Sequence, residues 1–403
     1  MKRVGHLLAR IAEPENLREA FLRASRAKSA KPDVLAFREN LTSHLAVMRD
    51  QILSGEVPVG GYRQFRVYDP KERVITVAPF AQRVLHHAIL RVCEPYLENK
   101  LVPWTYACRK GKGRLAALDA AAGHCRRQAW YLKLDIRKYF DSVPHDRLLE
   151  RLHGIFKDAA VLTLLERIIR SHEVTPGCGL PIGNLTSQHL ANLYLGGLDR
   201  FIDQEAGGKG LATVRYMDDS VVWAASQVDL QDLRLRLREF VPMGLGLELK
   251  QERIGRVANG VPFLGCTLYA GHRELNRRGR QRFQKRVALL DRLVAEHRLT
   301  EAHAQQRATA MAAYANTAST LRFRRNALQS HFRASAMDWT EPPTVASAAA
   351  AGTTMRTTAL SPTATTTTTR PTATTTSASV WPAAPEGFPD GEPLPEPAAV
   401  PLR

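Results

Sequence analysis

The stretch Val214-Arg215-Tyr216-Met217-Asp218-Asp219-Ser220-Val221-Val222-Trp223 places two adjacent carboxylates between two short apolar runs. Runs this rich in valine and aromatic residues are typical of buried strands. Aspartate is common in tight turns, which explains one carboxylate more easily than two. The sequence therefore predicts strand, tight turn and strand over residues 213–224. Two neighbouring carboxylates repel each other less when they share a cation such as Mg²⁺, which completes its shell with water and substrate phosphates.

A third aspartate lies at the end of another predicted strand. Apolar residues alternate from Trp130 to Ile136, so Asp135 lies on the face opposite Leu134 and Ile136. If this strand lies beside the Asp218 turn, the carboxylates converge at the strand ends. Two metal ions about 4 Å apart could then be held, one lowering the pKa of an attacking hydroxyl and the other stabilising a leaving pyrophosphate.

The net charge also narrows the set of possible functions. Lys and Arg number 57 against 39 Asp and Glu, giving a net charge of +18. This excess favours a phosphate-rich partner, with a solvated basic surface as the alternative. No apolar stretch is long enough to span a membrane, and the first ten residues lack the pattern of a signal peptide. The five scattered cysteines form no CxxC pair, so we expect reduced thiols in a cytoplasmic protein.

Predicted helices and strands alternate along the chain, which favours an α/β or α+β fold. Helices are expected over residues 1–54 and a hairpin over 60–80 around Asp69-Pro70-Lys71. Further single helices are expected over 82–97, 148–169 and 187–201. Two basic helices are expected over 285–298 and 302–327.

These carboxylate motifs and the segments below resemble those of the reverse transcriptases over roughly residues 60–270. Tyr216-Met217-Asp218-Asp219 is similar to their motif C, and the segment from Leu134 to Asp141 to motif A. The segment from Gly179 to Gln188 resembles motif B, and Phe263-Leu264-Gly265 the primer grip. Arg73-Val74-Ile75 and Tyr106-Ala107-Cys108-Arg109 resemble the fingers motifs.

Two residues that differ from those of most reverse transcriptases point to one subfamily. Most reverse transcriptases have Gln where this chain has Ile182, and Pro where it has Gln188. These departures, with the segments 106–113 and 215–219, resemble the reverse transcriptases of diversity-generating retroelements. Those enzymes copy a template RNA and misincorporate opposite adenine, which diversifies a target gene.

The resemblance implies a right-hand polymerase with fingers, palm and helical thumb. It implies RNA-directed DNA synthesis with two Mg²⁺ ions, or Mn²⁺ in their place, on deoxynucleoside triphosphates. The expected partners are template RNA, an RNA–DNA duplex and a small basic accessory variability protein, without a membrane. A bacterial or phage-encoded protein of the cytoplasm is expected.

The resemblance also assigns roles to residues. The catalytic residues would be Asp135, Asp218 and Asp219, with Ile136 beside them in the metal site. Phe140 would be the steric gate that excludes a ribonucleotide 2′-hydroxyl. The nucleotide would also contact Arg109, Lys110, Lys112, Ile182, Gly183 and Gln188. Lys250 or Arg253 would protonate the leaving pyrophosphate, with a plain surface charge as the alternative. The thumb would grip the duplex phosphates through Arg277, Arg278, Arg280, Arg282, Lys285 and Arg286.

Ile182 suggests how fidelity could be low, and Gly183 and Gln188 have other expected effects. A Gln at position 182 could hydrogen-bond and stiffen the pocket, whereas Ile182 cannot, so fewer contacts would discriminate between right and wrong pairs. A harmless apolar exchange is the alternative. Gly183 would let the backbone approach the nucleotide. Gln188 stands where a proline would rigidify a first helical turn.

Four regions are predicted. They are an N-terminal helical extension (1–58), fingers and palm (59–271), a basic helical thumb (272–337) and a disordered Ala/Thr/Pro-rich tail (338–403). Runs of Thr in the tail become Asn runs when their codons are read in another frame. We therefore hypothesise that the gene end overlaps a template repeat, with an ordinary low-complexity linker as the alternative.

Two other functions compete with this prediction. One is a group II intron or retron reverse transcriptase, against which Ile182 and Gln188 argue. The other is a non-catalytic RNA-binding protein built on an inactive palm. Such a protein should have lost a metal ligand, yet Asp135, Asp218 and Asp219 are all present.

Overall fold

The computed structural model describes residues 3–68, 72–315, 318–320, 323–324 and 326–327. The predicted tail and the turn at Asp69-Pro70-Lys71 lie outside these residues, as do several positions after Ala315 in the second basic helix predicted over 302–327. Four helices form between Leu8 and Ser54, as predicted. The helices are α1 (Leu8–Ile11), α2 (Pro14–Ser25), α3 (Pro32–Glu39) and α4 (Leu41–Ser54). Proline opens α2 and α3, where its missing N–H costs nothing, and Gly55 ends α4 in the left-handed conformation.

The predicted hairpin forms after these helices. Its strands, β1 (Arg63–Tyr68) and β2 (Glu72–Val77), pair antiparallel from Arg63↔Val77 to Tyr68↔Glu72. All side chains of β1 are exposed. The hairpin is therefore a projecting two-stranded ribbon, and the long helix α5 (Phe80–Glu98) follows it.

The middle of the chain alternates helices with single strands. In order these are α6 (Arg114–Arg127), β3 (Trp130–Ile136), α7 (Tyr139–Ser142), α8 (His145–His153), α9 (Ala159–Arg170), α10 (Leu185–Tyr194), α11 (Gly196–Glu205), β4 (Ala212–Tyr216), β5 (Asp219–Ala224), α12 (Gln227–Leu245) and β6 (Leu249–Arg256). The single helix predicted over 148–169 is wrong. Gly154 follows α8, and Asp158 begins α9 by accepting a hydrogen bond from Val161 N at 3.4 Å.

The single helix predicted over 187–201 is likewise two helices, α10 and α11, which meet at Leu195. Its apolar periodicity continued across the junction because both helices bury a face in the same core. Leu190 and Leu198 are both nearly inaccessible to solvent. Periodicity therefore predicted the buried face without predicting the break.

A four-stranded antiparallel sheet in the order β4-β5-β3-β6 forms the centre. Helix α12 packs against β3, β5 and β6. Trp223, Leu132 and Val222 are fully buried in this layer. Burial of large apolar side chains is the main contribution to the stability of such a layer.

The chain then forms a second, smaller sheet and two helices. The elements are β7 (Val261–Phe263), β8 (Cys266–Leu268), β9 (Arg273–Leu275), α13 (Arg277–Ala295) and α14 (Glu301–Ala315). Helix α13 begins earlier than predicted because Asn276 Oδ1 accepts a hydrogen bond from Gly279 N at 2.7 Å. The predicted mixed α/β class is confirmed. None of the helices in the described part of the chain is long and apolar enough to cross a membrane.

Candidate active site

Asp135 lies at the end of β3, beside the beginning of β5. The antiparallel register pairs Leu134 with Ser220, so the next step along both strands brings Asp135 to Asp219. Alternation along β3 directs Asp135 and Lys133 to one face and Leu134 and Ile136 to the other. The predicted approach of this strand to the Asp218 hairpin is therefore present in the structure.

Asp218 lies in the turn between β4 and β5. Tyr216 pairs with Asp219, which leaves Met217 and Asp218 as a two-residue turn. Met217 has a φ of 55°, in the left-handed region that residues other than glycine rarely adopt. The turn is tight, and it brings Asp218 and Asp219 to the edge where β3 ends.

Two lysines neutralise this acidic edge. Lys133 Nζ forms an ion pair with Asp219 Oδ1, and Lys250 Nζ forms one with Asp135 Oδ2. Lys133 lies two residues before Asp135, on the same face of β3. Lys250 is the extra residue of a bulge, since Asp135 pairs with Gln251 and Ile136 with Leu249. The bulge directs Lys250 to the carboxylate.

The donor atoms at this edge fit a hard divalent cation. The Asp135 and Asp219 side chains are 35% and 30% exposed, so their oxygens are open to solvent and substrate. Among the described residues, no three His, Cys, Asp or Glu side chains form a ready-made metal site. The two ammonium groups instead supply the positive charge that Mg²⁺ would bring to the same oxygens. Ile136 is buried on the opposite face of β3, so only its backbone could contribute a ligand.

Of the two proposed proton donors, only Lys250 contacts the carboxylates. Arg253 is exposed on β6 opposite Lys133, and its charge acts on Tyr131. Burial raises the pKa of the Tyr216 and Tyr139 phenols, so neither hydroxyl ionises near neutral pH. Lys250 is therefore the better placed acid.

Phe140 follows Asp135 after a left-handed turn at Lys138, whose φ is 42°. Its half-buried ring packs edge-on against Tyr139 at 5.7 Å between ring centroids. Its carbonyl accepts a hydrogen bond from Leu180 N at 2.7 Å. The backbone that presents Phe140 is thus tied to the segment that leads to Ile182.

The segment from Ile182 to Asn184 is attached to the β1–β2 hairpin. Thr76 N donates to Ile182 O at 2.7 Å, and Ala78 N donates to Asn184 Oδ1 at 3.3 Å. Gly183 has a φ of 119°, and a Cβ there would lie 3.0 Å from Thr76 O. The close approach that requires this glycine is therefore to β2, whereas we had expected an approach to the nucleotide.

We expect Gly183→Ala to lower the free energy of unfolding by about 1–3 kcal/mol, because the new Cβ meets both an unfavourable φ and the Thr76 carbonyl. Gly113→Ala is the matched control, since Gly113 has a φ of 111° with nothing within 4 Å of its Cβ position. Urea unfolding of both variants would separate the cost of the unfavourable φ from the cost of the contact with the Thr76 carbonyl. Equal destabilisation would contradict a specific contact with β2.

Gln188 lies in the first turn of α10, where its Oε1 accepts a weak contact from Cys108 Sγ at 3.9 Å. The amide gained at this position thus links α10 to the segment 106–109. It offers this contact where a proline could not, since proline has no side-chain acceptor.

Two of the three basic residues predicted to bind triphosphate hold a loop instead. Arg109 Nη1 donates to Val102 O at 2.6 Å and to Thr105 O at 3.2 Å. Lys112 Nζ donates to Pro103 O and lies 4.9 Å from the centre of the Tyr106 ring. Lys110 is exposed. Of these three side chains, Lys110 is therefore the most exposed to solvent.

The predicted thumb residues lie on α13. Arg277, Arg278, Arg280, Lys285 and Arg286 are exposed, and Arg282 is half-buried. The opposite side of the helix buries Phe283, Val287 and Leu290. Helix α13 therefore presents a continuous cationic face, which suits contacts with a phosphate backbone.

Sequence reasoning missed three cations. Lys133 could have been found, since a residue two before Asp135 on a strand must share its face. Arg215 lies within the 215–219 motif, where no local pattern indicates a role for it. Arg114 binds the turn of the 263–265 segment through Nη2–Leu264 O at 2.8 Å, across 150 residues of sequence. No local pattern predicts such a contact.

Comparisons with known proteins found the following similarities. The model of the family "Reverse transcriptase (RNA-dependent DNA polymerase)" matches residues 68–268. Protein YkfC of Escherichia coli is 25% identical over 331 residues, which are 69% of this chain and 85% of YkfC. An uncharacterized 91 kDa protein in the cob intron of Schizosaccharomyces pombe is 27% identical over 150 residues, 36% of this chain and 17% of that protein. The apo telomerase structure from Candida tropicalis aligns with a TM-score of 0.45 and 10% identity, covering 73% of this chain and 61% of that one.

Proposed function

We propose that this chain copies RNA into DNA by two-metal-ion nucleotidyl transfer, because residues 68–268 match the model of the reverse transcriptase (RNA-dependent DNA polymerase) family. The observation that supports the chemistry best is the pairing of β3 with β5, which puts Asp135 beside Asp219 and next to the β4–β5 turn that carries Asp218. A nucleotidyl transferase needs carboxylates from two separate chain segments close together, and this pairing supports such an arrangement.

Asp135, Asp218 and Asp219 would hold two Mg²⁺ ions, with Mn²⁺ as a substitute. When bound, the metal would activate the primer 3′-hydroxyl and stabilise the leaving pyrophosphate. Lys250 Nζ forms an ion pair with Asp135 and would deliver a proton to the pyrophosphate. Phe140 would close the space under the sugar, and the cationic face of α13 would bind the template–primer duplex.

The finer proposal is a reverse transcriptase of a diversity-generating retroelement. It would copy a template-repeat RNA with errors at adenine and act with a small basic accessory protein. Ile182 supports this proposal, since its carbonyl is engaged by Thr76 N and its side chain has no hydrogen-bonding group. Position 182 therefore cannot help to fix a base pair in the way that an amide could.

We expect Ile182→Gln to lower the error frequency opposite template adenine by roughly fivefold to tenfold, because one added hydrogen bond contributes about 1 kcal/mol of discrimination. Sequencing of complementary DNA made on one RNA template would measure it. Ile182→Leu, which keeps an apolar side chain of equal volume, should change the frequency by less than about twofold. An unchanged error spectrum in the Gln variant would contradict the role of this position.

A group II intron or retron-type enzyme is the second candidate, and similarity to an intron protein favours it. A non-catalytic RNA-binding protein is the third, and the lysine ion pairs at Asp135 and Asp219 favour it. Primer extension on RNA with Mg²⁺ and four deoxynucleotides separates the three. Errors concentrated opposite adenine support the retroelement enzyme, and accurate synthesis supports the intron or retron type. No synthesis, even with the accessory protein and cognate RNA, supports the binding protein.

A further inference from the structure

Arg215, directly before the Tyr216–Asp219 segment, has a fully buried side chain. It pairs with the equally buried carboxylate of Asp199 in α11. Its Nε donates to Asp199 Oδ1 at 2.6 Å, and its Nη2 donates to Oδ2. Burying two charges is costly, and apolar residues of similar size are often at least as stabilising. Stability alone is therefore a poor reason for this pair.

The same guanidinium also holds the turn that contains Asp218. Arg215 Nη1 donates to Met217 O at 3.0 Å and to Asn192 Oδ1 at 2.8 Å. Met217 is the residue with a left-handed φ of 55°. A residue other than glycine keeps such a backbone only when its surroundings fix it. Arg215 supplies one such contact, to the carbonyl immediately before Asp218.

Asn192 connects this arrangement to the other side of the aspartate edge. Its Nδ2 donates to Ala107 O at 2.8 Å. One residue earlier, Ala191 O accepts a hydrogen bond from the Tyr139 hydroxyl of α7, the helix that follows Asp135. Adjacent residues of α10 therefore bind the segment after Asp135 and the segment before Asp218. Helix α10 therefore links the position of Asp135 to the position of Asp218.

We propose that Arg215 is a positioning residue, which with Asp199 and Asn192 fixes the Asp218 turn relative to Asp135 for cation binding. The proposal rests on the proposed function, because it assumes that these carboxylates bind metal. Arg215 itself contacts neither metal nor substrate. It acts through the Met217 carbonyl, and its fork of donors reaches three segments at once, which a lysine could not do.

The test replaces the pair with apolar residues. In the full chain, Arg215→Met with Asp199→Leu should keep the thermal midpoint close to that of the wild type. We expect the rate of RNA-templated synthesis to fall by about tenfold to 10²-fold and the half-saturating Mg²⁺ concentration to rise. Mn²⁺ binding, followed by electron paramagnetic resonance without nucleotides, should weaken by several-fold, on the order of fivefold. A folded double variant with wild-type Mn²⁺ binding and Mg²⁺ requirement would overturn the proposal.

Arg215→Lys decides the question if the double variant does not fold. It keeps the charge beside Asp199 and loses the donor to Met217 O, so weaker Mn²⁺ binding by the folded protein supports the proposal and unchanged binding overturns it. Arg170→Met with Asp146→Leu is the control, since that pair joins at 2.6 Å on exposed helix surfaces. If the wild type makes no DNA on RNA, the proposed polymerase fails, and the Mn²⁺ measurement still tests Arg215 separately.

Discussion

Asp218→Ala is expected to lower RNA-templated DNA synthesis by at least about 10³-fold, since a lost metal ligand removes several kcal/mol of transition-state stabilisation. The position is a turn between two strands that pair from Ala212↔Trp223 to Tyr216↔Asp219, on either side of Asp218. The protein should therefore stay folded. Primer extension with saturating Mg²⁺ measures the loss.

Binding of RNA should hardly change in this variant. The cationic face of α13 belongs to a different part of the chain, and phosphate contacts there do not need Asp218. Asp50→Ala is a suitable control, because Asp50 is an exposed carboxylate on α4, with 76% of its side chain accessible. Synthesis that persists in Asp218→Ala would show that the metal assignment is wrong.

Phe140→Ala should raise the incorporation of ribonucleotides relative to deoxynucleotides by about 10²-fold, which is the usual range for steric selection by one side chain. This substitution removes the aromatic ring. The backbone of Phe140 stays fixed by the hydrogen bond from Leu180 N. Competition between a ribonucleotide and its deoxynucleotide in single-turnover extension measures the ratio.

Phe140→Tyr is the matched variant, since it keeps a ring of the same width. Its selectivity should stay within about threefold of the wild type. The half-buried ring of Phe140 packs on Tyr139, so thermal midpoints of both variants are needed to separate selectivity from stability. A selectivity in Phe140→Ala equal to that of Phe140→Tyr would mean that the ring is only a packing group.

Three of the four strands of the sheet that positions the site were predictable because they alternate or are continuously apolar, whereas β6 is largely polar and was not predicted as a strand. The predicted strand Trp130–Ile136 matches β3 residue for residue, and the turn at Met217-Asp218 lies within the predicted hairpin. The approach of Asp135 to Asp219 could be stated only as a condition. Strand order in a sheet depends on pairings between distant segments, and local pattern does not specify them.

Contacts that depend on the folded chain explain the remaining differences. Arg109 and Lys112 had the composition of a phosphate-binding loop, but nearby carbonyls between residues 102 and 105 take up their donors. The contact between Gly183 and Thr76 joins segments more than one hundred residues apart in sequence. A motif predicts the residue type that a site needs, and only the fold decides which neighbour uses it.

The hydrogen bond from Thr76 N to Ile182 O joins the projecting ribbon and the Ile182 segment into a single mechanical unit. Displacement of β2 displaces the Ile182 backbone with it. If Ile182 meets the base pair as proposed, substitutions in β2 should shift the error spectrum without any change among the residues that meet the base. A library restricted to β2 would then be a route to altered error preferences with Asp135, Asp218 and Asp219 left unchanged.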